Sequence, residues 1–401
     1  MATVVDIDLM DDLRAFGAAD VSACFSCGNC TAICPLSDND ATFPRRVIRY
    51  AQVGLKDELL GAKELWTCYH CGLCSDSCPT QADPGEFMAT ARRYAVASYE
   101  PTGLARVIYT RPKLGTAIAV LVAAFFALFM LSQADLGGIH APTLALFQFV
   151  PNELVHWLGV GAMAAMGLAG AWGVVRMTRA IARRDGVTLT DTFGSRAALR
   201  RTAGAVWDSL GVESLGQRRF REDCHDDQPA EPLWRRRWLV HALTIWGFLG
   251  LFGATVIDYG LELLGVKQTG TPIPLWYPSR ALGTIAGLSL MYGVTVFMLS
   301  RWRRWSSAHA TSTGSDWMLL ALLWITGFTG FVIEVALYAG QPPVWGYWFF
   351  LLHVAVAMEL MLMVPFTKFA HAMYRPVALF FYALARDRDH DVPRRVAVGS
   401  N

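Results

Sequence analysis

Charge is what this sequence has least of. Lys, Arg, Asp and Glu make up 17% of its 401 residues, while 54% are hydrophobic. Soluble proteins carry about 25% charged residues, so the shortage argues against a freely soluble enzyme and for insertion into a bilayer. A secretory leader is missing too. The opening MATVVDIDLMDDLRAFG is acidic and has no apolar core, so the N-terminal segment is expected to stay in the cytoplasm. No nucleotide-binding fingerprint, DNA-binding segment or low-complexity tract is visible. That excludes a nucleic-acid partner and leaves a redox sensor, the rival to an electron carrier, without an output domain. The loops 132–151 and 340–347 contain no Lys or Arg.

Cysteine is sparse but concentrated. Eight of nine fall in two runs, CFSCGNCTAICP (Cys24, Cys27, Cys30, Cys34) and CYHCGLCSDSCP (Cys68, Cys71, Cys74, Cys78). Each run is C-x2-C-x2-C-x3-C-P, the spacing that holds a [4Fe–4S] cluster. Disulfides do not persist in a reducing cytosol. Zinc also uses C-x2-C pairs, but does not require four cysteines in this run, twice. In two-cluster ferredoxins the fourth cysteine of each run ligates the other cluster. The expected ligand sets are therefore Cys24, Cys27, Cys30 and Cys78 for one cluster, and Cys68, Cys71, Cys74 and Cys34 for the other. Cys224, in a polar loop, reads as an ordinary thiol.

Helical spacing between and after the runs predicts an α-helical two-cluster ferredoxin domain over 1–110. Six apolar spans follow, near 114–131, 153–175, 238–259, 281–300, 317–339 and 348–373. Each approaches the ~20 residues a helix needs to cross the hydrocarbon core. The expected fold class is all-α: the ferredoxin domain, a six-helix bundle over 111–376 and a tail over 377–401. Residues 176–237, between the second and third spans, hold 13 arginines. The positive-inside rule places this loop, both termini and the cysteine domain in the cytoplasm, making a multi-pass protein of the cytoplasmic membrane.

Four histidines fall within the spans: His156, His241, His353 and His371. His353 and His371 are 18 residues apart in the last span. On a continuous helix that is five turns, which puts both on one face about 27 Å apart. His241 then pairs with His371 near the cytoplasm and His156 with His353 near the outside, and each pair is suited to hold a haem b axially. Two haems are expected, with one at the inner pair as the fallback. A quinone site needs a titratable group; Lys368 and Glu359 are the inner candidates, Glu153 and Asp258 the outer.

Residues 20–95, through both cysteine runs, resemble the small iron–sulfur subunit of heterodisulfide reductases. Residues 150–376 resemble the cytochrome b of that system and of respiratory nitrate reductase gamma subunits. The fused order resembles the C subunit of quinone-interacting membrane-bound oxidoreductase complexes. One departure stands out: in the nitrate reductase type one early helix supplies two histidines ten residues apart, and here Leu251 follows His241 at that interval. The resemblance implies a flavin- and iron–sulfur-bearing partner of the heterodisulfide-reductase-A-like type, menaquinone as the pool quinone, and electron relay between the two. Disulfide chemistry by this chain alone would need a further cysteine motif, and only Cys224 is left over.

Overall fold

The computed structural model describes residues 4–17, 21–37, 42–137, 145–223, 231–267, 273–306, 309, 311–339 and 344–391; Cys224 and the end of the tail lie outside them. The described residues are helical, with no strand. Two compact units emerge. The first gathers Met1–Ala95, Gly173–Asp226 and His371–Asn401, and the second gathers Val96–Trp172 and Asp227–Ala370.

In the second unit, six helices are long and apolar enough to cross a bilayer, and the protein is a multi-pass membrane protein. They are Pro112–Ser132, Asn152–Asp185, Arg237–Leu263, Pro278–Trp302, Gly314–Tyr338 and Val344–Met363, with Asn152–Asp185 contributing residues to both units. The last is the central one: 67% of its apolar window is buried, against 17% for Arg237–Leu263. Phe350, Leu351, Ala355 and Met358 pack with Phe126 and Met130 of the first span and Ile333 of the fifth. Val356 and Leu360 pack with Leu290, Val294, Leu319 and Leu323 of the fourth and fifth. Water does not drive helices together inside lipid, so small residues that let backbones approach take over. A Cβ on Gly247 would lie 2.5 Å from the Leu290 nitrogen and 2.7 Å from the Ala286 carbonyl oxygen.

The sixth span does not run on to residue 373 as the hydrophobic pattern predicts. Its α-helix stops at Met363, and two 3-10 turns, Val364–Phe366 and Lys368–Ala370, separate it from a new helix, His371–Asp391. Pro365 explains the break: it has no N–H to donate and its ring collides with the preceding turn. Thr367 is then extended, at φ −111° and ψ −176°. The five-turn relation between His353 and His371 is lost, because it requires an unbroken helix. The two histidines also belong to different units.

The first unit is built from short helices around the cysteine runs. Arg184, near the C-terminal end of Asn152–Asp185, donates to Glu58 (3.2 Å), Glu64 (3.0 Å) and the Gly61 carbonyl (3.3 Å). Lys63 pairs with Asp185, and Arg46 reaches Glu64 at 3.1 Å. The arginine-rich stretch contains a helix, Arg196–Trp207, capped by Ser195 accepting from the Ala198 N–H at 3.0 Å. It continues as a wider π-helical turn, Asp208–Leu215. Ala205 packs there with Ala383 and Leu384 of the C-terminal helix.

Candidate iron–sulfur site and membrane histidines

The two cysteine runs are backbone copies of each other. The glycine after the second cysteine is left-handed in both, Gly28 at φ 90° and Gly72 at φ 94°. Only glycine takes that conformation at no steric cost. The residue before the second cysteine is also left-handed, Ser26 at φ 62° and His70 at φ 54°. These reversals curl each run, and a short helix follows: Asn29–Ile33 carries Cys30, and Leu73–Asp76 carries Cys74. The side-chain amide of Asn29 donates to the Ser77 carbonyl at 2.5 Å, tying one run to the other.

This folding brings the cysteines into two groups. Burial pushes the Cys30 thiol up, and the neighbouring thiols that act on it are Cys24, Cys27 and Cys78. Burial pushes Cys34 up to about 12, and the thiols that act on it are Cys68, Cys71 and Cys30. Cys74 is likewise pushed up by burial and feels Cys68, Cys71, Cys34 and Cys30. Cys78 goes the other way: burial raises it, but hydrogen bonds from Thr80, Ala82 and Gln81 outweigh that and lower it. Buried thiols crowded together resist ionisation until a metal takes the thiolates. The donor set, four cysteines in each of two runs, fits [4Fe–4S] clusters. His70 supports the second run, its backbone N–H donating to Cys68 Sγ at 3.4 Å while its Nδ1 meets the Gly85 carbonyl at 3.1 Å.

The membrane histidines differ in how they are held. His353 has its Nδ1 3.1 Å from the Thr326 carbonyl and 3.0 Å from Thr329 Oγ1. A carbonyl only accepts, so Nδ1 carries the proton in that bond and Nε2 is left with its lone pair, as in a metal-ligating histidine. Gly330 makes room for the ring: a Cβ there would lie 3.3 Å from His353 Cε1. His156 stacks on Tyr259 with ring centres 5.3 Å apart. His241 stands edge-on to Phe297 at 6.4 Å, and His371 opens the C-terminal helix.

Of the quinone-site candidates, two are tied into ion pairs. Lys368 reaches Asp316 at 2.5 Å. Asp258 accepts from Lys267 at 2.5 Å and from Ser279 at 3.2 Å. Glu153 is exposed in the first turn of the second span. Glu359 is different: it is 2% exposed, one turn before the end of the sixth helix, and its Oε1 meets no hydrogen-bond partner. Arg184 and Arg375, both important to the first unit, were not singled out by sequence patterns, because each acts on a segment more than 100 positions away.

A membrane-embedded, iron–sulfur electron-transfer protein is the class that this fold and these cysteines define. Residues 20–82 match the 4Fe-4S dicluster domain family. Residues 106–391 match the family described as Citrate utilization protein B, and the chain belongs to that family. Citrate utilization protein B of Escherichia coli is 30% identical over 278 residues, covering 68% of this chain and 68% of that protein. The cysteine segment is similar to the C subunit of the H(2):CoB-CoM heterodisulfide,ferredoxin reductase of Methanothermobacter thermautotrophicus, at 38% identity over 56 residues. That match covers 14% of this chain and 30% of the relative. The heterodisulfide reductase likeness drawn from the cysteine runs is thus matched in that segment, while the matching family for the membrane part is Citrate utilization protein B. No solved structure matches the chain.

Proposed function

We propose that this protein is the membrane component of a quinone-linked oxidoreductase, relaying electrons between a cytoplasmic flavin- and iron–sulfur-bearing partner and menaquinone or another pool quinone. The observation that carries it is the union, in one chain, of a dicluster domain over residues 20–82 with six membrane-spanning helices. Clusters and haem b, when bound, supply one-electron steps. Cys24, Cys27, Cys30 and Cys78 would hold one cluster, and Cys68, Cys71, Cys74 and Cys34 the other; the thiol grouping supports this crossed set. His353 is the haem ligand best supported, since Thr326 and Thr329 fix its ring and leave Nε2 available. His156 of the same unit is proposed as its partner. Glu359, buried without a partner on Oε1, is the proton-carrying group proposed for quinone chemistry. It is favoured over Lys368 and Asp258, whose charges are already neutralised. Kinship with a protein named for citrate utilization supports a soluble partner that acts on a carboxylic acid.

The test is cofactor analysis of purified protein: iron, acid-labile sulfide and a reduced-minus-oxidised haem spectrum. Roughly eight irons in clusters are expected from two cubanes, with haem reducible by a quinol. His353→Ala is expected to remove one haem and leave the iron–sulfur content unchanged. A preparation without haem would end the quinone route, and one without labile sulfide would end the electron-transfer function.

A further inference from the structure

A cation from the far end of the chain reaches the second cysteine run. Arg375, in the first turn of His371–Asp391, donates from one guanidinium nitrogen to the carbonyls of Trp66 (3.0 Å) and Thr67 (3.4 Å). These are the two residues immediately before Cys68. Its guanidinium carbon lies 5.0 Å from the centre of the Tyr69 ring, the residue immediately after Cys68. The approach is set by packing: Tyr374, fully buried, packs against Trp66 with ring centres 5.1 Å apart and the planes tilted by 53°. The other charged groups that act on Arg375 are Arg92 and Glu213, together with the Cys68 thiol itself.

A positive charge held beside a cluster favours the state carrying one more electron. The attraction grows with the cluster's negative charge and is weakly screened where water is excluded. We infer that Arg375 raises the reduction potential of the cluster held by Cys68, Cys71, Cys74 and Cys34, acting as a tuning residue and not as a ligand. The inference rests on the two-cluster assignment above. In that arrangement the two clusters are chemically alike in their ligands, and each run has its own arginine: Arg375 at the Cys68 segment, and Arg45 donating to the Ser26 carbonyl at 3.4 Å in the first run, so removing Arg375 should act on one cluster alone.

Potentiometric titration of the intact purified protein, followed by electron paramagnetic resonance, tests it. Arg375→Gln is expected to lower one of two midpoints by about a tenfold loss of affinity for the electron, which is about 59 mV for a one-electron couple, and to leave the other in place. Arg375→Lys, which keeps the charge, is expected to hold the midpoint near that of the unaltered protein. Unchanged midpoints in Arg375→Gln overturn the inference, and so does an equal drop in Arg375→Lys. If Arg375→Gln fails to assemble that cluster, Glu213→Gln decides. Removing the carboxylate whose charge acts on Arg375 should raise the same midpoint, and an unmoved value overturns the inference. Absence of two cluster signals in the unaltered protein would instead overturn the two-cluster assignment, so the two failures are told apart.

Discussion

In the unit that carries the cysteines, segments far apart in sequence are joined by charge. Arg184 binds Glu58 and Glu64, Lys63 binds Asp185, and Arg375 grips the carbonyls before Cys68. In the membrane unit the joints are apolar. Gly247 lets the third and fourth spans touch backbone to backbone, and Val356 and Leu360 fill the space between spans. Polar contacts join its helices as well, such as Lys368 with Asp316 and Thr284 with Glu334, beside the Lys267–Asp258 pair nine residues apart. The contrast follows from solvent: an aqueous unit cut into short helices has little apolar area to bury per element, whereas long helices in lipid have apolar surface everywhere and need fit more than hydrophobicity.

Four substitutions would break or sharpen that contrast. The largest effect belongs to Arg184→Ala. It leaves Glu64, whose side chain is only 11% exposed, with Arg46 as its remaining cation, and losing a hydrogen bond to a charged group costs about 1.5–3 kcal/mol. Urea unfolding of the cysteine-bearing unit, monitored through its cluster absorbance, is the readout; a loss under about 1 kcal/mol would mean that charge does not hold this unit together. The same joint has a pH signature. Burial raises the Glu64 carboxyl, but Arg184 outweighs it and holds the group below its ordinary 4.5. Its contribution is therefore fully present above pH 4.5 and is lost as pH falls through the lower folded value. Glu64→Gln should flatten that acid-side decline.

Gly247→Ala comes next. The added methyl meets Leu290 and Ala286 backbone that cannot swing aside, and overpacking of this kind costs about 1–3 kcal/mol. Thermal unfolding in detergent should fall, with the iron–sulfur content unchanged. The smallest effect is expected from Arg386→Ala. Its partner Asp208 is 3.3 Å away, but the two side chains are 44% and 37% exposed. Such surface pairs contribute about 0–1 kcal/mol, so unfolding should barely move; a large loss would extend the ionic network to the unit's surface.

Much of the architecture was legible beforehand, for physical reasons. Membrane spans announce themselves because lipid demands some 20 apolar residues in succession, and five of the six appear close to the expected boundaries, with Asn152–Asp185 running on ten residues further. The cysteine runs announce themselves because a cluster fixes ligand spacing, and Gly28 and Gly72 mark the left-handed turns that the spacing requires. The matching turns at Ser26 and His70 were not legible, since neither residue type asks for positive φ. The sixth span misled because hydrophobicity continues through Val364, Pro365 and Phe366 while the α-helix does not. Lys368 and Asp258 looked like intramembrane charges; only the folded chain shows them paired.

By itself, then, the order of residues determined the all-α class, the six crossings and the cluster-binding chemistry, because each depends on composition or on spacing within one short stretch. The tertiary structure alone decided which charges are neutralised, that His353 is steered by Thr326, and that an arginine more than 300 positions away stands beside Cys68. Those outcomes depend on where distant segments meet, and contacts between distant segments leave no period or spacing along the chain.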